Sequence, residues 1–148
     1  MQIRSAIAAD IPSIMTLERE TATASHWSAV QYESLFSQSP PTRLALLIEE
    51  DGVVQGFLVA REIESEWELE NIAVALSARR RGFGRELLQT LVKHAHAQEA
   101  RAIFLEVRKS NLAARSLYES CAFREIGRRK RYYQNPAEDA VTYRLNFQ

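Results

Sequence analysis

Two groups of residues in this chain have the types and spacing to do chemistry. The first is the run Arg79-Arg80-Arg81-Gly82-Phe83-Gly84-Arg85, set between the apolar stretch Asn71-Ile72-Ala73-Val74 and an amphipathic segment. Gly82 and Gly84 let the backbone approach a ligand with no Cβ in the way. A helix that begins there turns the free amides of its first turn outward, and its macrodipole places roughly +0.5 charge at that end. Such an end binds anions, a pyrophosphate among them. Arg79, Arg80, Arg81 and Arg85 add guanidinium groups that suit phosphate oxygens. The competing reading is a flexible turn with a solvated arginine cluster, and the spacing is not the dinucleotide pattern Gly-x-Gly-x-x-Gly.

The second group is Leu105-Glu106-Val107-Arg108 with Asn111 and Tyr118. On a strand, Ala102, Phe104 and Glu106 point one way and Ile103, Leu105 and Val107 the other. Glu106 therefore shares a face with an aromatic ring, which is unusual for a purely solvated face. Asn111 and Tyr118 are two helical turns apart and lie on one stripe. Taken singly, each has a plainer reading. Glu106 can pair with an arginine across the sheet, Tyr118 can be core, and Asn111 can simply cap a helix.

These residues need elements to hold them. Residues 1–7 read as a short strand. Asp10 and Pro12 mark a helix start, continued at helical spacing by Ile11, Ile14, Met15 and Glu18. Ser28-Ala29-Val30-Gln31 has the form of a capping box and opens a second helix through about Phe36, ended by Ser39-Pro40-Pro41. Residues 43–50 and 53–62 read as strands around the turn Asp51-Gly52, and 66–74 as a third. Residues 84–98 form an amphipathic helix with Leu87, Leu88, Leu91, Val92 and Ala95 in one stripe. Residues 102–108 read as a strand and 111–121 as a helix. Residues 123–133 and 141–147 read as a closing antiparallel pair, joined by a turn at Asn135-Pro136. The order β-α-α-β-β-β-α-β-α-β-β predicts an α/β fold with a mixed sheet of about seven strands and about four helices. The unit at 66–108 predicts a right-handed parallel crossover.

The chain of 148 residues suits one domain, 1–148. Its formal net charge of zero points to neither a nucleic-acid nor a membrane partner. Cys121 stands alone, so no internal disulfide forms, and no metal-ligand spacing surrounds it, so no metal is expected. The start lacks the apolar core of a signal peptide. The longest run of large aliphatics, Leu44 to Ile48, is far short of the ~20 residues that span a bilayer. A soluble protein of the reducing cytoplasm is the expectation.

Arg79-x-x-Gly82-x-Gly84 resembles the acetyl-CoA signature Arg/Gln-x-x-Gly-x-Gly/Ala of the GNAT superfamily of N-acetyltransferases. Asn71-Ile72-Ala73-Val74, Leu105-Glu106-Val107-Arg108, Ser110-Asn111, Leu117-Tyr118-Glu119-Ser120 and Arg129-Lys130-Arg131-Tyr132-Tyr133 are similar to strings of the bacterial ribosomal-protein alanine N-acetyltransferases. The resemblance spans most of the chain and is densest from 70 to 133. It implies acetyl-CoA as co-substrate and a free protein N-terminus as acceptor, the N-terminal alanine of a small-subunit ribosomal protein. It implies that Ile72, Ala73 and Val74 bond the pantetheine arm by main chain, and that Arg79, Arg80, Arg81, Gly82, Phe83, Gly84 and Arg85 form the pyrophosphate cradle. It further implies Asn111 near the reactive end of the cofactor, Glu106 as general base and Tyr118 as general acid.

An α-amino group has a pKa of about 7.7–8.0 and lysine about 10.4, so the α-amine sheds its proton some hundredfold more readily. The amine attacks the thioester directly, so no enzyme nucleophile is needed. Cys121 has no adjacent histidine and is not expected to act. His94 and His96 are expected at the surface. His26-Trp27-Ser28 precedes the second helix, with Trp27 read as packing ahead of substrate contact. Two departures bear on the acceptor: Ala75-Leu76 stands where the family continues Asp-Pro, and the N-terminal third matches loosely. The alternative acceptors are a lysine side chain, a polyamine or a small-molecule amine. A different class, a basic RNA-binding or ribosome-binding module, follows from Arg128-Arg129-Lys130-Arg131 beside Tyr132-Tyr133.

Overall fold

Apolar residues that alternate along the strands decide how the layers stack. The computed structural model describes residues 1–21, 27–134 and 137–147. Its strands are β1 (Gln2–Ser5), β2 (Arg43–Glu50), β3 (Val53–Ile63), β4 (Glu66–Val74), β5 (Ala102–Arg108), β6 (Arg124–Tyr133) and β7 (Glu138–Asn146). They form one seven-stranded sheet in the order β1-β2-β3-β4-β5-β7-β6. The helices are α1 (Ile11–Glu20), α2 (Ala29–Glu33), α3 (Phe83–Ala97) and α4 (Leu112–Ser120). Among the described residues only β4 and β5 pair in parallel, joined through α3, and β7 inserts between β5 and β6. This is the mixed α/β layout that the element order predicts.

The inner strand β3 is buried on both faces. Leu58 and Ala60 point into a core with Leu87, Leu88 and Leu91 of α3, while Phe57 and Val59 join Ile14, Leu17, Tyr32 and Leu35 on the side of α1 and α2. Each large side chain so buried is worth about 1.5–3 kcal/mol, and the stripe along α3 is what docks that helix. The capping box is present: Gln31 N donates to Ser28 Oγ at 3.2 Å and Ser28 N to Gln31 Oε1 at 2.8 Å.

Some boundaries differ from the sequence reading. β1 stops at Ser5, because Ile7 N donates to Asp10 Oδ2 at 2.8 Å and a helical turn begins at Ala8. β7 begins at Glu138 rather than 141. The Glu138 carboxylate accepts from Ser110 N at 2.7 Å and Arg108 Nη1 at 3.3 Å, which ties the strand start to the end of β5. The turn at Asn135-Pro136 and His26 lie outside the described residues. His94, expected at the surface, is half-buried with its ring 5.2 Å from that of Trp67.

One irregularity opens the molecule. Val59 pairs with Asn71 and Ala60 with Leu69, so Glu70 is an extra residue on β4. The bulge reverses the phase of the strand. Before it, Trp67 and Leu69 face α3; after it, Ile72 and Val74 pack toward that core and Ala73 toward the other. β4 pairs with β5 only from Glu66↔Ala102 to Glu68↔Phe104. Past the bulge the two strands part, and a cleft opens between them.

Candidate active site

The cleft has a volume of about 1030 Å³. Ile72, Ala73 and Val74 form one wall, on a stretch of β4 with no β5 partner. Arg79, Arg80, Gly82, Phe83, Gly84 and Arg85 line one end. Glu106, Asn111 and Tyr118 line the other side. The parted strands thus gather residues that the sequence places in two separate groups.

Arg81 is the exception. Arg80 and Gly82 are both left-handed, with φ of 64° and 83°, and the chain turns around Arg81. Its guanidinium leaves the cleft, donates to both Glu50 oxygens at 2.8 and 2.5 Å, and stacks over Phe83 at 4.8 Å. Arg81 is not among the residues lining the cleft; it fastens the glycine turn to β2. Arg85, by contrast, lines it and donates to Ser120 Oγ at 2.8 Å.

Gly82 is the N-cap of α3, and no side chain caps the first turn. Its left-handed φ is the reason for glycine there, since a Cβ is disfavoured in that conformation. Space at Gly84 is tight: a Cβ would sit 3.3 Å from Leu117 Cδ2 of α4. The amides at the start of α3 carry the positive end of the helix dipole to the cleft. A helix start with no side-chain cap, beside arginines, is chemically suited to a pyrophosphate such as that of acetyl-CoA.

At the other end, the Glu106 carboxylate takes Arg129 Nη1 at 2.9 Å and Thr142 Oγ1 at 3.4 Å. The pairing with an arginine across the sheet is thus present, and the carboxylate also faces the cleft. Asn111 is the N-cap of α4, with Oδ1 accepting from Ala114 N at 3.2 Å. Its amide nitrogen has no partner among the described residues. Tyr118 is 5% exposed, part of the core beside Phe123 and Tyr143, and lines the cleft as well. Burial raises its pKa, with Tyr133 nearby acting in the same direction.

Three features escaped the sequence reading. Tyr133 lines the cleft, with the Arg108 guanidinium 4.6 Å from its ring centre. Its pKa is pushed up to about 12, first by burial and then by the Glu106 charge. Arg108 is a lining residue too. The third is a buried polar cluster: Glu18 Oε1 accepts from Trp27 N at 2.6 Å, Tyr32 OH at 2.5 Å and Asn71 Nδ2 at 3.3 Å. It ties the end of α1 and the start of α2 to the cleft strand. Its signal was available: Glu18 is a charged residue on the apolar stripe of α1. Trp27 packs against Tyr32 with ring centres 5.4 Å apart.

Among the described residues no helix is long and apolar enough to cross a membrane. No group of three or more His, Cys, Asp or Glu among them converges as a metal site.

A sheet parted at a bulge, with an uncapped helix start at one end of the gap, is the frame of an acyltransferase that uses a CoA thioester. The family model of the acetyltransferase (GNAT) family matches residues 11–123, and the chain belongs to that family. It is an acetyl-CoA-dependent N-acetyltransferase. In particular it resembles the [ribosomal protein bS18]-alanine N-acetyltransferase of Salmonella typhimurium, at 34% identity over 138 residues, 92% of this chain and 90% of that one. The counterpart in Escherichia coli is 34% identical over 139 residues, with the same shares covered. A crystal structure of the ribosomal-protein-S18-alanine N-acetyltransferase from Escherichia coli superposes with a TM-score of 0.87 at 31% identity, covering 98% of this chain and 92% of that one.

Proposed function

We propose that this enzyme acetylates the N-terminal α-amine of a protein, the N-terminal alanine of a small-subunit ribosomal protein, in the cytoplasm. The observation that carries this reading is the 34% identity, across nine-tenths of both chains, with a relative named for that acceptor. The co-substrate brings an acetyl group on a thioester. The free edge of Ile72–Val74 bonds its pantetheine arm by main chain, as an added strand would be held. Arg79, Arg80, Arg85 and the amides around Gly82, Phe83 and Gly84 hold the pyrophosphate. The Asn111 amide nitrogen steadies the end nearer the reaction.

Glu106 receives the proton of the incoming ammonium, directly or through one water. The amine nitrogen then bonds to the carbonyl carbon as the carbon–sulfur bond breaks, and its second proton leaves to solvent, which also restores the proton Tyr118 gives up. Main-chain donors at 72–74 polarise the carbonyl oxygen. Tyr118 donates to the departing sulfur. An ordinary tyrosine near 10 already gives its proton to a thiolate near 8.5 at a cost of about 2 kcal/mol. Burial raises that cost for Tyr118, so its first contribution is a hydrogen bond to the thiolate, the proton crossing as the sulfur leaves.

The test is acetyl-CoA turnover with a panel of peptides and amines, repeated on Glu106→Gln and Tyr118→Phe. The reading expects N-terminal alanine peptides to be preferred and both variants to be slowed. Turnover on lysine side chains alone would remove the α-amine acceptor, and unchanged rates in both variants would remove the acid–base pair.

A further inference from the structure

The carboxylate assigned as base is already occupied. Arg129 Nη1 lies 2.9 Å from Glu106 Oε1. The two partners differ in freedom: the Arg129 side chain is 58% exposed and that of Glu106 17%. The guanidinium can withdraw into water, whereas the carboxylate stays in the cleft wall.

The sheet shows how the contact is built. Arg129 pairs with Ala140 and Glu106 with Thr142, so the arginine reaches diagonally across β7 to β5. The side chains along that path are small, alanine and threonine, and Gly127 opposite Thr142 has open space above it. Just beyond, the ladder runs from Arg129↔Ala140 to Tyr133↔Glu138, four residues of β6 against two of β7. That bulge, with Arg131 at φ 50°, brings the Tyr132 ring to 4.0 Å from the Arg129 guanidinium carbon. A bulge on an edge strand beside a site serves to re-aim side chains. Here it lays an aromatic face under the guanidinium that is paired with Glu106.

We propose that Arg129 is a displaceable occupant of the acceptor position, its guanidinium resting where the acceptor's ammonium has to arrive. This rests on the reading of Glu106 as the base. The acceptor binds by exchange: its cation takes the carboxylate and Arg129 swings out into water. An ion pair with one well-exposed partner is weak enough to exchange. The product amide carries no charge and does not hold Glu106, so Arg129 returns and the acetylated chain is released. Arg129 thereby sets acceptor affinity without taking part in bond making.

The experiment is steady-state kinetics on Arg129→Ala, Arg129→Gln and Arg129→Lys, varying acetyl-CoA and an N-terminal alanine peptide separately. The acceptor KM is expected to fall roughly threefold in the alanine and glutamine variants, the scale of an exposed ion pair. The lysine variant should stay near the unaltered enzyme, and the acetyl-CoA KM should not move in any of them. An acceptor KM unchanged or raised in both the alanine and glutamine variants overturns the proposal, as does failure of both to fold. A fully active Glu106→Gln enzyme would instead sink the reading of Glu106 as base. A slowed Glu106→Gln enzyme beside an unmoved acceptor KM in Arg129→Ala would keep that reading and discard the exchange.

Discussion

Glu106, Asn111 and Tyr118 each fill the plain structural role their residue type suggests and also line the cleft. Glu106 pairs across the sheet and lines the cleft, Asn111 caps α4 and keeps an amide nitrogen over, and Tyr118 is core and cleft wall together. Residue types and spacing made all three legible. They did not reveal Tyr133, because its place depends on a bulge in β6 that no sequence pattern marks. At this scale two outcomes are expected. Glu106→Gln should lower kcat by about a hundredfold or more, the usual scale of a lost general base, with the acetyl-CoA KM retained; initial rates read this. Glu18→Ala should destabilise the fold by about 2 kcal/mol, because it takes away the buried acceptor of the Trp27 amide and the Tyr32 hydroxyl proton. Urea unfolding measures it, and a loss below 1 kcal/mol would show the cluster to be dispensable.

Elements position these residues through their ends more than their middles. The uncapped start of α3 and the free stretch of β4 meet at the cleft because Glu70 bulges the strand. The strand itself, its bounds and its parallel partner were legible in the sequence, as was the capping box of α2. The bulge was not: Glu66 to Val74 reads as one continuous alternation, and only its pairing with β3 shows the change of phase. Gly82→Ala should weaken acetyl-CoA binding while leaving the acceptor KM unchanged. An alanine held left-handed costs roughly 1–2 kcal/mol, which the turn avoids by moving its amides. Calorimetric titration with acetyl-CoA checks this, and unchanged affinity would mean that the turn tolerates the side chain.

The entry of α1 gives a pH prediction. Asp10 is held below the usual carboxylate range chiefly by its hydrogen bonds from Arg4, with the Ile7 amide helping, against burial. Its folded value lies below its unfolded one of about 3.9, so the stabilisation is complete above that pH and fades as pH falls through the folded value. Asp10→Asn should therefore lose stability at neutral pH and converge on the unaltered protein in strong acid, as urea midpoints across pH would show. A constant gap down to the lowest pH would contradict it.

For the whole molecule, the two faces of the sheet have different duties. The face packed on α3 carries the larger core, and the face bearing Glu106 carries Arg129 and Thr142; on the proposed reading the acceptor approaches along the second. A ligand bound to the folded state alone stabilises it by about 2.7 kcal/mol at a hundred times its Kd, so acetyl-CoA should raise the melting temperature by a few degrees in a 148-residue chain. The central claim concerns the acceptor, and a single peptide tests it. It carries a free N-terminal alanine and one internal lysine, and fragment mass spectrometry after incubation with the enzyme and acetyl-CoA locates the added acetyl group. The account predicts acetyl on the alanine nitrogen and an unmodified lysine; acetyl on the lysine with a free N-terminus would contradict it.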